Sequence, residues 1–245
     1  MPKPAVFLVG ADKGGVGKTT VARALLDYFG ARHVSTRAFD TESPRGTLKR
    51  FHPRETEVVD VTSASDQMNI FDTLSSVDAK VTVIDVRAGQ LSSTLQALSD
   101  IGFLELGRTG QITLAMLHIL GPSIASLDEI AETARFVGDA SYFLIKNHVN
   151  ETSFFEWDPE TYKSYFRKIK GAQELTIPKL NEMACEQVEV AGVPYASFVG
   201  NKNYSFVLRG YVRHWLGQVW REFDRVKLIE LISSKSEKNL RQAAS

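Results

Sequence analysis

The sequence predicts an α/β fold: a mostly parallel, twisted sheet with helices on both faces. Three observations carry that prediction. Short apolar runs alternate with helical patterns along most of the 245 residues, the signature of strands joined by crossover helices. The first run opens straight into a glycine-rich loop and then a helical pattern. Several runs also end on a polar or acidic residue, and in open parallel sheets ligands sit beyond those carboxyl ends.

Taken in order, strands are expected at 6–9, 34–39, 57–61, 81–84, 112–117 and 142–145, with weaker candidates at 174–177 and 193–198. The run Val6-Phe7-Leu8-Val9 is apolar at every position, as a strand buried on both faces must be. The second and fourth runs stop at Asp40 and Asp85, and the sixth at Lys146-Asn147. The run at 112–117 suits a strand or a helix. Helical spacing fits 18–29, 66–76, 91–99, 123–138, 180–190 and a long segment from about 204. The length suits one domain over 1–245, with a polar tail from about 233 that frays.

Composition narrows the function classes. Twenty-nine Lys and Arg balance 29 Asp and Glu, so no global positive field for nucleic acid exists. Apolar runs are too short to cross a bilayer, and the first is too short for a secretory signal. One cysteine, Cys185, excludes an internal disulfide and fits a reducing cytosol. It also argues against iron–sulfur chemistry, and is expected to be a small buried residue in a helix.

The most specific stretch is Gly10-Ala11-Asp12-Lys13-Gly14-Gly15-Val16-Gly17-Lys18-Thr19-Thr20. Strand, glycine-rich loop and helix are the context a phosphate-binding loop requires. Backbone N–H groups of Gly14, Gly15, Val16, Gly17 and the residues up to Thr20 would converge on phosphate oxygens. Lys18 would neutralise phosphate charge, and the Thr19 hydroxyl would ligate Mg²⁺. The common motif has glycine five places before Gly17; here Asp12 stands there and Lys13 follows it.

With Lys13 in that position the loop resembles the deviant Walker A motif of the ParA/MinD family of P-loop ATPases. The resemblance implies ATP and Mg²⁺ as ligands, and a homodimer in the ATP state. In such a dimer Lys13 reaches the partner subunit's phosphates, as an arginine finger does. The chain enters its first strand at once, so it resembles the short members that have no N-terminal helix-turn-helix domain. Asp85 closes Val-Thr-Val-Ile-Asp and precedes Val86-Arg87-Ala88-Gly89, which resembles the family's Walker B segment and implies a metal role. Asp40-Thr41-Glu42-Ser43-Pro44 stands where the family has D-x-D-P. The resemblance gives Asp40 and Glu42 metal and water-orienting roles. Glu42 is one methylene longer than the family's Asp, and placement governs rate, so the expectation is either slow hydrolysis or a water held by Asp40 alone; the bland alternative is a turn with a helix cap. Asn147 and Pro194 are the positions that the resemblance assigns to the adenine. His148 has no partner at metal-ligand spacing and reads as structural.

Two segments could hold a nonspecific DNA surface, as ParA dimers do. One mixes bases and aromatics, Tyr162 to Lys170; the other carries Arg209, Arg213, Arg221, Arg225 and Lys227. Acidic neighbours weaken both. Trp215, Val219, Trp220, Phe223 and Val226 share an apolar helical face that fits sheet packing better than a membrane. The reading is a cytoplasmic ATPase and ATP-dependent dimer switch in plasmid or chromosome partitioning or cargo positioning, with a protein activator or cargo adaptor. The alternatives are an ATP-dependent metabolic ligase resembling dethiobiotin synthetase, and a nucleotide-binding regulator that barely hydrolyses.

Overall fold

The computed structural model describes residues 3–74, 78–138, 140–149, 152–156, 158–167 and 169–233. Seven strands form one sheet: β1 (Ala5–Gly10), β2 (Thr36–Asp40), β3 (Thr56–Val58), β4 (Val81–Asp85), β5 (Thr113–Ile119), β6 (Ser141–Asn147) and β7 (Gln173–Ile177). Every pairing is parallel, in the order β3-β2-β4-β1-β5-β6-β7. The all-apolar first run therefore becomes the central strand, flanked by β4 and β5. All of its residues are buried.

Side chains alternate across β1 and seed two cores. Ala5, Phe7 and Val9 face one core, and Val6 and Leu8 the other. The first core takes the apolar faces of α1 (Lys18–Gly30), α2 (Thr47–Phe51), α8 (Glu182–Ala191), α9 (Tyr195–Gly200), α10 (Phe206–Arg225) and α11 (Leu228–Leu231). The second takes α3 (Ala64–Phe71), α4 (Leu91–Asp100), α5 (Phe103–Arg108), α6 (Ile124–Val137) and α7 (Pro159–Phe166). Trp215, Val219, Phe223 and Val226 are buried in the first core, so the apolar face of α10 packs on the sheet.

Three expectations need correction, and two short helices were not expected. Residues 195–198 of the expected strand 193–198 lie in helix α9 instead, entered through Pro194 as its N-cap. No strand position was open to them, because α10 occupies the free edge of β7. Glu222 Oε2 accepts the Thr176 N–H at 3.0 Å, and Arg225 Nη2 donates to the Glu174 carbonyl at 2.6 Å. Helices α2 and α5 span five and six residues, too short for periodicity to announce them. The helix expected at 66–76 runs from Ala64 to Phe71, and 75–77 lie outside the described residues. Cys185 is exposed, because α8 buries Ala184 and Val188, four apart on one face. The tail beyond 233 also lies outside the described residues.

Phe7 has no exposed surface and meets the Phe29 ring edge-on at 5.2 Å. Phe7→Ala should lower unfolding free energy by about 3–5 kcal/mol in urea titrations. Val190→Ala, on the exposed side of α8, should change it by less than about 0.5 kcal/mol.

Candidate phosphate-binding site

The loop joining β1 to α1 lies at the carboxyl end of the central strand. Gly15 and Gly17 sit at φ 75° and 84°, values that L side chains rarely adopt. Gly17 is also crowded: a Cβ there would lie 2.3 Å from Asn147 Nδ2. That amide donates to the carbonyls of Val16 (3.0 Å) and Gly17 (3.3 Å), so Asn147 braces the loop from β6. Gly17 caps α1 without a side chain. The first-turn N–H groups are therefore left to an anion, which the helix dipole also favours.

Lys18 is buried, and its Nζ donates to the Lys13 carbonyl at 3.0 Å. Burial pulls its pKa down, opposed by the carboxylates of Asp85, Glu129, Asp12 and Glu42. The Thr19 hydroxyl donates to Asp85 Oδ2 at 2.7 Å. Asp85 is pushed up to about 7, chiefly by burial, while the Thr19 bond holds it down and the nearby Asp40 adds repulsion. Its Oδ1 is buried without a hydrogen-bond partner. Asp40 and Asp85 are register partners across β2 and β4. Asp40 Oδ1 accepts the Glu42 N–H at 2.9 Å, and Oδ2 accepts those of Leu48 (2.6 Å) and Lys49 (3.3 Å). Its carboxylate thus closes the start of α2, the role the helix-cap alternative gave it. Glu42 Oε2 accepts the Thr47 hydroxyl.

These groups border a cleft of about 250 Å³ lined by Gly15, Gly17, Lys18, Thr19, Thr20, Asp40, Glu42 and Asp85. A buried ammonium and open helix amides suit phosphate oxygens. The Thr19 hydroxyl and an unpartnered carboxylate oxygen suit a hard cation such as Mg²⁺. Of the other expected site residues, Gly14 and Lys13 are exposed beside the cleft and Val16 is buried behind it. Pro194 is not brought to the loop. It lines a separate cleft with Asp27, Gly30 and Thr36 at the far end of α1, because α9 packs there.

Sequence reasoning missed four residues behind the loop. Asp12 accepts the Leu91 N–H (2.7 Å) and the Ser92 hydroxyl (2.8 Å), capping α4. Glu129 Oε1 accepts the Asp12 N–H at 2.5 Å, and burial raises its pKa. His118, at the end of β5, bonds the Tyr142 hydroxyl through Nδ1. Its Nε2 lies 3.9 Å from Glu129 without a hydrogen bond. Only Asp12 carried a local signal, as the acid replacing glycine in the loop; the others join it across more than 100 residues of chain.

The two basic segments are neutralised only in part, and Arg167 and Lys170 of the first are exposed. Lys163 pairs with Glu160, Arg225 with Glu222 and Lys227 with Glu230. Arg209 donates to the Val199 carbonyl, and Tyr162 is buried. Arg213 and Arg221 stay exposed; Lys168 lies outside the described residues. His148 packs edge-on to Phe154. Among the described residues no cluster of three or more His, Cys, Asp or Glu could hold a metal, and no helix is long and apolar enough to cross a membrane.

Burial drives the His118 pKa down from 6.5 to about 4. The folded state thus disfavours the proton. This stabilisation is complete above pH 6.5 and is lost as pH falls toward 4. Replacing His118 with Gln should flatten that part of the profile, so the melting-temperature gap between variant and wild type should narrow from pH 7.5 to pH 4.5. A constant gap would contradict a buried neutral imidazole.

No protein-family profile matches the chain. Protein MobD of Acidithiobacillus ferrooxidans is 24% identical over 194 residues, 75% of this chain and 82% of the relative. Among solved structures, the septum site-determining protein MinD of Pyrococcus horikoshii, complexed with Mg-ADP, superposes with a TM-score of 0.57. It is 15% identical, over 94% of this chain and 99% of that one. A protein described as a plasmid partition protein of Borrelia burgdorferi, bound to AMPPNP, gives 0.55 at 14% identity, over 91% and 99%. A nucleotide-binding protein of Archaeoglobus fulgidus in complex with ADP gives 0.52 at 15% identity, over 77% and 86%. At these identities the likeness is one of fold. Sheet order, loop and strand-end carboxylates place this chain among proteins with the ParA/MinD-like P-loop fold.

Proposed function

We propose that the protein binds ATP with Mg²⁺ in the loop cleft and works as an ATP-controlled homodimer in plasmid or chromosome partitioning or cargo positioning. One observation carries the reading: a single loop holds two lysines with opposite dispositions. Lys18 is buried and turned onto the loop, whereas Lys13 is exposed. Support comes from the fold neighbours described as MinD and as a plasmid partition protein, solved with Mg-ADP and AMPPNP.

In this reading Lys18 exchanges the Lys13 carbonyl for phosphate oxygens, and the α1 amides hold the remaining oxygens. Thr19 and Asp85 fit a magnesium ion, since Asp85 Oδ1 has no protein partner. The ion supplies charge neutralisation on the phosphates. Lys13 serves the partner subunit, so two half-sites are complete only together. Nonspecific DNA is the proposed surface of the dimer, with Arg213 and Arg221 as exposed cations, and a protein activator or cargo adaptor speeds release. The proposed compartment is the cytoplasm.

A second reading, slow hydrolysis, is favoured by the segment after β2. Both Asp40 oxygens accept backbone N–H groups and Glu42 Oε2 accepts the Thr47 hydroxyl, so Asp40 is held by the backbone and Glu42 is tethered through one of its two oxygens.

Lys18→Ala should weaken binding of a fluorescent ATP analogue by about 10–100-fold, the worth of one charged hydrogen bond in a dry site. Lys13→Ala should retain that binding yet remain monomeric in ATP when wild type doubles its mass by light scattering. A mass indifferent to ATP in wild type would remove the dimer switch. DNA retention by the ATP form should fall steeply between 50 and 200 mM salt.

A further inference from the structure

We propose that Gly121 in the β5–α6 connection and Glu129 on α6 together form the guide that aims Lys13 away from its own subunit. The two residues act at different points on the same segment of loop. Glu129 fixes the backbone just before Lys13: its carboxylate accepts the Asp12 N–H at 2.5 Å. The rest of Asp12 is equally committed. Its carbonyl accepts the Gly89 N–H at 2.8 Å, and its two carboxylate oxygens take Leu91 N–H and the Ser92 hydroxyl. The peptide entering Lys13 is therefore clamped between α4 and α6.

Gly121 leaves room for the side chain. A Cβ at Gly121 would come within 3.2 Å of Lys13 Cγ, closer than an unstrained contact between carbons. Gly121 is itself fixed, because its N–H donates to Ser126 Oγ at 2.7 Å in the first turn of α6. The Lys13 stem thus runs past a bare backbone position, and its head emerges exposed. A long, flexible side chain loses considerable rotamer freedom when it must meet one target. A guide that narrows its directions beforehand reduces that loss. Glu129 and Gly121 are positioning residues, since neither would touch the nucleotide.

This inference rests on the proposed role of Lys13, and its test separates the two. Lysines are dimethylated with ¹³C-formaldehyde, and the Lys13 methyl resonance is assigned by its loss in Lys13→Arg. In nucleotide-free protein, Gly121→Val and Glu129→Ala should each shift the Lys13 resonance while leaving Lys202 unmoved. Glu129→Gln, which keeps a carbonyl acceptor for the Asp12 N–H, should restore it. An unmoved Lys13 resonance in folded Gly121→Val and Glu129→Ala proteins would overturn the guide, whatever ATP does. With ATP, Gly121→Val should keep wild-type affinity for the analogue, and both variants should lose at least half of the ATP-dependent dimer. A wild type that never dimerises would sink the switch alone, since the resonance test stands without it.

Discussion

The buried ammonium of Lys18 is the interaction on which the rest of the site depends. Parallel register sets Asp40 and Asp85 opposite one another on adjacent strands, and Asp12, Glu42 and Glu129 approach the same region. Like charges held in a poorly hydrated pocket repel strongly. Lys18 is the cation they share, fixed by one hydrogen bond to a loop carbonyl. The remaining charge is relieved in two ways: burial holds Asp85 up at about 7, and Asp40 is surrounded by backbone N–H donors. The cleft is thus an acid-rich pocket balanced around one lysine, and an incoming anion and cation would exchange those balances for new ones.

Much of this was legible in the sequence. The central strand announced itself because β1 is buried on both faces, which leaves no polar position to break the run. The loop was legible because left-handed positions and a close approach demand glycine at Gly15 and Gly17. What stayed hidden has a common cause. Glu129, His118 and Tyr142 reach the loop only when β5, β6 and α6 are stacked beside β1, and no local spacing encodes that stacking. The strand expected at 193–198 misled for a related reason. Whether that segment forms a strand depends on a free sheet edge, and α10 had already taken it.

Asp12 shows how an apparent departure from a motif can be structural. Glycine is usual there because it asks nothing of its surroundings. Asp12 asks for a great deal and receives it: four polar groups, each with a partner, on α4, α6 and the turn after β4. The substitution exchanges conformational freedom for a junction between the loop and two helices of the second core.

The pairing of Glu222 and Arg225 on α10 with the free side of β7 has a consequence beyond local hydrogen bonding. One side chain accepts from the strand and the other donates to it, so together they imitate the ladder of an eighth strand. At the opposite border β3 is only three residues long. Neither border therefore offers a foreign chain a long template for strand addition, the usual route to runaway sheet aggregation. A sheet closed at both borders is thereby shielded from meeting other copies in the one geometry that does not let go.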